Sequence, residues 1–506
     1  MTDLASFTLL IKGDIVTPTH PSYPTAIARW ARNAQRPARL VVFPKDAVDV
    51  SHCILYAKAQ GLVFAVKGGG HNTAGASSAK DGLVVDLSRY MNGVRMDGER
   101  RLGYVGGGAC WGAVDREGMK YGLATVGGTV SHVRVVQLTL GGGFGWLSGR
   151  HGLTIDNLKQ ATIVTSSGDI LTVNATQHPD VFWAIRGGGS NFGVVTEFVF
   201  HMHPQRARVF AGELVYVCDA PTPYCDSEGT VVAEVMSATK RWWAKASAPG
   251  ASGDEAVSHV ITLRQGDDGR YQPVVVVFVF WNGTECEGRE RFREFYGIEH
   301  ISDSTGEMPY EEVNTLQDNV FRHGLSYYLR GTTQAGPTRP STMLKLMHKC
   351  LSLSQSHPNS PTGQISASAQ PPPMVLFKYI PFRAIDGVPP ASTAFNRADG
   401  RGLLNVLLMI RWDSSEGDEG KGMLGVSRET AKEFVDIVAR QGGADRKEMH
   451  GYTNFVPVIR KVTAPIRGER AKKAFGANYA RLQDVKGVYD PELFFDRWFP
   501  VIPAPR

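Results

Sequence analysis

Val66-Lys67-Gly68-Gly69-Gly70-His71-Asn72 carries an apolar, strand-like stretch, Val63-Phe64-Ala65-Val66, straight into three residues without side chains. Glycine permits backbone conformations closed to other residues and lets a second group approach the peptide closely. Similar clusters recur at Gly106-Gly107-Gly108, Gly141-Gly142-Gly143 and Gly187-Gly188-Gly189. One cluster alone reads as a tight turn. Four between Gly68 and Gly189 read better as stretches of bare peptide N–H aimed at an extended, phosphate-bearing ligand. None has the G-x-G-x-x-G spacing of a Rossmann turn, and the chain has no G-x-x-x-x-G-K-[ST]. Neither a Rossmann dinucleotide site nor a P-loop is therefore predicted.

Working outward, Leu40-Val41-Val42-Phe43 reads as a strand, Val48 to Gln60 as a helix and Val63 to Val66 as the next strand. Residues 1–35 precede them as a lead-in. Further strands are expected at Leu83 to Leu87, Leu102 to Val105, Ala161 to Val164, Ile170 to Val173 and Gly193 to Val199, with a hairpin turn at Ser167-Gly168-Asp169 and a helix from Trp111 to Tyr121. After His203-Pro204 the texture changes. Val257 to Arg264 and Val274 to Trp281 form a long hairpin pattern about Asp267-Asp268-Gly269, and Leu403 to Trp412 reads as another strand. Helices are expected at Thr230 to Ala246, at Glu429 to Arg440 with Ser427 as N-cap, and in the tail up to Tyr489-Asp490-Pro491. Residues 352–373, rich in Ser, Pro and Gln, read as an exposed loop.

The motifs then become specific. Val66 to Asn72 followed by Gly75 resembles the histidyl-flavin loop of the berberine-bridge-enzyme-like FAD-linked oxidases. Gly127-Gly128-Thr129-Val130-Ser131-His132 and Leu138-Thr139-Leu140-Gly141-Gly142-Gly143-Phe144-Gly145-Trp146 are similar to that family's second loop. His151-Gly152-Leu153-Thr154-Ile155-Asp156-Asn157, the run Pro179 to Thr196, and the tail Asn478-Tyr479-Ala480-Arg481-Leu482 with Tyr489-Asp490-Pro491 continue the match. The resemblance spans most of residues 36–203 and 450–495.

It implies an α+β fold with an FAD-binding domain built from both chain ends, over 1–205 and 446–506, around an α+β substrate-binding domain over 206–445. It implies FAD as cofactor, with the flavin 8α-methyl carbon bonded to a ring nitrogen of His71. It places Lys67, Gly68, Gly69, Gly70, Asn72 and Gly75 around the cofactor, with Gly127, Gly128, Ser131, His132, Gly141, Gly142, Gly145, Asp156, Asn157, Gly193, Val195 and Asn454. Many members carry a second, cysteinyl link, but Thr129-Val130-Ser131-His132 has no cysteine, so attachment through His71 alone is expected. Cys110, in the Gly106 cluster, reads as a structural thiol.

The chain departs from the family where glycines usually precede the triple Gly. It reads Arg134-Val135-Val136-Gln137-Leu138, and Arg134 either meets the phosphates as a cation or shifts the loop. The tail has Asp496-Arg497-Trp498 in place of Asn-x-Asn. The acid–base set is also thin. A Tyr of the family falls on Tyr379, which reads equally as a core tyrosine. A Glu of some members falls near Asn405, which cannot act as a base, and a Tyr of some members is replaced by Phe455. Tyr379, Tyr452, His132 and Arg383 remain as candidates.

The resemblance implies hydride transfer from a small organic, natural-product-like substrate to FAD, with O2 reoxidising the flavin to give hydrogen peroxide. A cyclisation or rearrangement without net redox is the alternative, and a non-catalytic flavoprotein is a third reading. Net charge is +6 on 506 residues, without a Lys/Arg-rich run, so nucleic acid is not an expected partner. No stretch of eighteen apolar residues suggests a membrane span, and the N-terminus lacks secretory-signal character, so an intracellular protein is expected. Six cysteines without a CxxC pair read as thiols in a reducing compartment. His201-Met202-His203 lacks partner motifs, Cys218 and Cys225 flank a turn-rich stretch, and Glu416 to Lys421 reads as a solvated loop. No metal is expected.

Overall fold

The computed structural model describes residues 3–218, 229–266, 271–355, 371–397, 403–413, 419–442, 452–455 and 464–505. The turn at Asp267 to Gly269, the stretch between Cys218 and Cys225, most of the Ser/Pro-rich 352–373 segment and residues 416–418 of the acidic segment lie outside these residues.

Leu40–Phe43, Leu83–Asp86 and Phe64–Lys67 pair in parallel, with Asp14–Val16 added antiparallel at one edge. The first two strands are buried along their whole length, as continuous β-branched and aromatic runs in a parallel sheet require. The intervening helix, Ala47–Ala59, is capped by the Asp46 carboxylate, which accepts from the N–H groups of Val48 and Asp49 at 3.0 Å each. A second, antiparallel sheet runs in the order Val94–Asp97, Leu102–Gly106, Val194–His201, Leu158–Val164, Ile170–Asn174.

The third sheet has eight strands, with Arg208–Val217, Tyr271–Trp281, Glu255–Gln265, Met374–Tyr379, Leu403–Trp412 and Ser326–Ala335 side by side, and short strands flanking the first of these. Its side chains alternate between two faces, as strand geometry dictates. On one face Val257, Val277, Phe377, Tyr379 and Val406 meet the helices Val231–Ala246, Pro340–Gln355 and Glu419–Gly442. On the other, Ala256, Phe280, Leu376, Leu407 and Met409 pack against Trp30, Val126 and Trp146 of the glycine-rich half. The helix expected from Glu429 begins earlier, at Glu419. Ser427 is buried inside it and is not a cap. The fold is mixed α+β.

The C-terminal segment returns to the first half, where Tyr479, Leu482, Val485, Trp498 and Val501 share a core with Phe182, Phe192 and Val195. Lys486 and Asp490, both fully buried, form an ion pair at 2.6 Å beneath this junction.

A second junction joins helix Trp111–Met119 to the 3-10 turn Tyr310–Thr315, where the Asn314 amide donates to Asp115 at 2.6 Å. Burial raises the Asp115 carboxyl to about 7. The folded chain therefore holds a proton that the unfolded chain releases above about pH 4. This contribution to stability falls as pH rises from about 4 to about 7. Asp115→Asn should remove that slope and leave the variant more stable than wild type at pH 8, by a few kcal/mol at ~1.4 kcal/mol per pH unit. Urea midpoints of the two proteins at pH 5 and pH 8 check this.

Candidate active site

Two cavities meet beneath the glycine loops. The first, about 820 Å³, is walled by Gly68, Gly70, Asn72, Gly141, Ser190, Gly193 and Val195, and closed by Arg497 and Trp498 of the tail. The second, about 860 Å³, lies between those loops and the large sheet, against His71, Gly128, His132, Tyr452, Lys378 and Asn405. Gln137 and Asn454 line both, so the two are contiguous.

The bare peptide of the first cavity has structural causes. Gly70 adopts φ +71°, and a Cβ there would sit 2.8 Å from the Arg29 side chain. A Cβ on Gly68 or Gly69 would press on Val136 or Arg134 at 2.6 Å. Arg134 thus lays its aliphatic stem on the glycine loop, and its guanidinium donates to the Gly108 carbonyl at 2.9 Å. Lys67 pairs with the buried Asp86 at 2.9 Å, and Arg29 is buried alongside, donating to the carbonyls of Ile27 and Ser77. Burial lowers the Lys67 ammonium despite Asp86, and the charges of Arg29 and Arg134 lower it further. Lys67, Arg29 and Arg134, three cations against one carboxylate, stand behind this wall and make that side electropositive, suited to a diphosphate.

His71 stands on the wall of the second cavity. Its Nε2 lies 3.3 Å from Nδ1 of His132, while its Nδ1 is buried without a hydrogen-bond partner among the described residues. Trp30 meets its edge at 5.3 Å between ring centroids, and Trp30 in turn stacks on Tyr327 at 3.8 Å. Desolvation, with the charges of His132, His323 and Arg134, pulls the His71 imidazole down to about 3, so the ring is neutral. His323, far along the sequence in an irregular segment, completes a group of three imidazoles whose nitrogens lie within 4.8 Å of one another.

The two cavities gather most of the residues expected from the sequence. Gly68, Gly70, Asn72, Gly141, Gly193, Val195 and Asn454 line the first; His71, Gly128, His132, Tyr452 and Asn454 line the second. Lys67, Gly69, Gly75, Gly127, Ser131, Gly142 and Gly145 stand behind these walls. Ser131 fastens its loop to Asp318 through its N–H at 2.9 Å and its hydroxyl at 2.5 Å. Gly145 is glycine because a Cβ would reach 1.9 Å from the Gly127 carbonyl oxygen.

Four of the expected residues lie away from these two cavities. Tyr379 does not face the cavity. It is fully buried on the helix side of the sheet, with its hydroxyl 3.0 Å from Thr338 and its ring against His259. Asp156 is paired with Arg397 and accepts from the Leu153 N–H at 2.7 Å. Asn157 donates to the carbonyls of His151 and Leu153 and meets His203 at 2.6 Å. Both serve the turn, and neither lines these two cavities. Arg383 also points elsewhere, toward the Ala251 carbonyl.

Tyr452 accepts from the Gly143 N–H at 2.9 Å and from the Asn454 amide at 2.7 Å, which pins the third glycine cluster to the tail. Burial raises its phenol. Lys378 is the polar group that the sequence reading passed over. It neighbours Tyr379 on the same strand, so it faces the cavity because Tyr379 does not.

Comparison with known proteins fits this geometry. Residues 38–174 match the FAD binding domain family, and residues 451–497 match the berberine and berberine-like family. The chain is an FAD-linked oxidoreductase of the berberine-bridge-enzyme type. An FAD-linked oxidoreductase of Aspergillus terreus is 28% identical over 99% of this chain and 96% of its own length. The (R)-6-hydroxynicotine oxidase of Paenarthrobacter nicotinovorans is 35% identical over 63% of this chain and 66% of its own length. Among solved structures, 6-hydroxy-D-nicotine oxidase from Arthrobacter nicotinovorans superposes with a TM-score of 0.78 at 25% identity, covering 98% of each chain. A variant of berberine bridge enzyme gives the same TM-score at 18% identity over 100% of each chain.

The cavities of this berberine-bridge-type chain suit FAD. They combine bare peptide, an electropositive end and an unpartnered, neutral histidine nitrogen beside the second chamber. Cys53, Cys110, Cys286 and Cys350 are free thiols. Among the described residues, no helix is long and apolar enough to cross a membrane.

Proposed function

We propose that this protein oxidises a small, largely apolar organic molecule, with FAD held covalently through His71 alone and O2 as the reoxidant, releasing hydrogen peroxide. The observation that carries the proposal is the meeting of the two cavities at Gln137 and Asn454, with His71 on the wall of the second. Bound FAD supplies a two-electron hydride acceptor, whose potential a histidyl substituent raises.

The chain's own residues do the rest. The peptide of Gly68 to Asn72 holds the diphosphate end, with Lys67 and Arg29 behind it supplying positive potential. His71 is neutral, so it has a lone pair to bond with, and its contact with His132 orients the ring. Tyr452 and Asn454 fix the Gly141 cluster at the junction. Trp30, Phe144, Phe321 and Leu329 line the substrate chamber with apolar surface and exclude water. The proposed division is an FAD-binding part over 1–205 and 446–506 and a substrate-binding part over 206–445. The free thiols fit a reducing, intracellular setting.

Anaerobic addition of a substrate should bleach the yellow flavin band, and admitting air should restore it with one peroxide per substrate consumed. A second reading has its own support: among the described residues, no Asp or Glu lines the second chamber. Turnover with an unbleached flavin would favour that reading, a rearrangement without net redox.

A further inference from the structure

Lys378 is a lysine in an apolar chamber. It lies on the strand Met374–Tyr379, pairs in register with Asn405 on the strand Leu403–Trp412, and shares the cavity wall with that residue. Around them stand Trp30, Phe144, Phe321, Leu376 and Phe455. The Lys378 ammonium donates to the Thr129 hydroxyl at 3.0 Å. That hydroxyl spends its own proton on the Gln317 side-chain oxygen at 2.9 Å, so its oxygen is turned to accept from Lys378. Thr129 therefore aims the amine rather than neutralising it. Among the described residues, no ion pair involves Lys378, and the titratable groups sharing its chamber are His71, His132 and Tyr452, not carboxylates.

A cation placed this way needs an anion. A lysine ammonium is a point charge, whereas carboxylates are better matched by the two-pronged guanidinium of arginine. A single ionised oxygen on an aromatic body suits both the amine and the walls around it. We propose that Lys378 receives the ionised oxygen of a phenol or enol carried by the substrate, and so selects acidic aromatic hydroxyl compounds for this chamber. Desolvation brings the amine down to about 8, so near neutral pH it stands as the ammonium. The substrate's O–H bond breaks with its proton leaving to solvent, and the phenolate that remains pairs with the ammonium already in place. Asn405, the register neighbour, is placed to donate to a second oxygen. The inference rests on the proposed function only in taking this chamber as the substrate's.

The test uses the holoenzyme and 4-nitrophenol, whose absorbance reports its ionisation. At a pH where the free probe is mostly protonated, difference spectra against flavin-matched blanks should show wild type binding it as the phenolate. Lys378→Met and Lys378→Gln should bind it about tenfold more weakly or in the neutral form, and Lys378→Arg should restore part of the phenolate signal. Flavin content and the thermal midpoint show that each variant is folded and loaded. Phenolate binding of equal strength in wild type and both uncharged variants overturns the assignment, as does a wild type that leaves the probe's ionisation unchanged. If wild type carries no flavin at all, the functional reading fails separately, because 4-nitrophenol reports the lysine alone.

Discussion

Lys486→Met is expected to destabilise the protein by about 3–5 kcal/mol, the range seen when one partner of a buried ion pair is removed. The Lys486 ammonium donates to Asp490 at 2.6 Å, to the Asn191 carbonyl at 2.6 Å and to the Phe495 carbonyl at 2.9 Å. Neither side chain of the pair has any exposed surface. Removing the lysine leaves a buried carboxylate held only by the N–H groups of Phe494 and Phe495. The damage should reach the cofactor, because Asn191 also ties down the carbonyls of Trp498 and Phe499, and Trp498 closes the first cavity. Urea midpoints measure the first effect and flavin content of the purified protein the second. Lys486→Met combined with Asp490→Leu should recover part of the loss, since an apolar pair leaves no charge stranded. A single variant within about 1 kcal/mol of wild type contradicts the reading.

His71→Ala should change flavin retention from complete to none after denaturation. Wild-type protein precipitated by acid is expected to keep its yellow colour in the pellet. The alanine variant is expected to release all of its FAD to the supernatant, because no cysteine occupies Gly127 to His132 to supply a second tether. This substitution leaves the Gly68 to Gly70 peptide and the Lys67–Asp86 pair in place, so FAD should still bind reversibly. Loss of colour from the wild-type pellet counts against the tether, and retention in the variant counts against His71 as its site.

Much of this arrangement was legible in the sequence because glycine clusters and apolar strand runs are local signals. Leu40 to Phe43, the helix after Asp46 and the strand before Gly68 follow from composition alone. Only the ordered motifs gave His71 its meaning. A lone loop histidine carries none. The failures were of register and distance. Tyr379 and Lys378 are neighbours, and a shift of one residue exchanges the two faces of a strand. The aromatic partners Phe377 and Tyr379 share the helix face, which leaves 376 and 378 for the cavity. His323 and Gln317 reach the site from an irregular segment that has no period to read. Asp156 and Asn157, expected beside the cofactor, make turn contacts in the folded chain, a role that equally suits short polar side chains. The helix beginning at Glu419 was masked in the sequence by Gly420, Gly422 and Gly425, each unfavourable in a helix interior.

The central claim is that FAD occupies the paired cavities and is bonded to one imidazole. Proteolytic digestion of the denatured holoenzyme, followed by mass analysis of the flavin-bearing peptides, tests it most directly. The expected result is one modified peptide, the one containing His71, with the other histidine and cysteine peptides unmodified. A flavin-free digest, or flavin attached to any other residue, would contradict it.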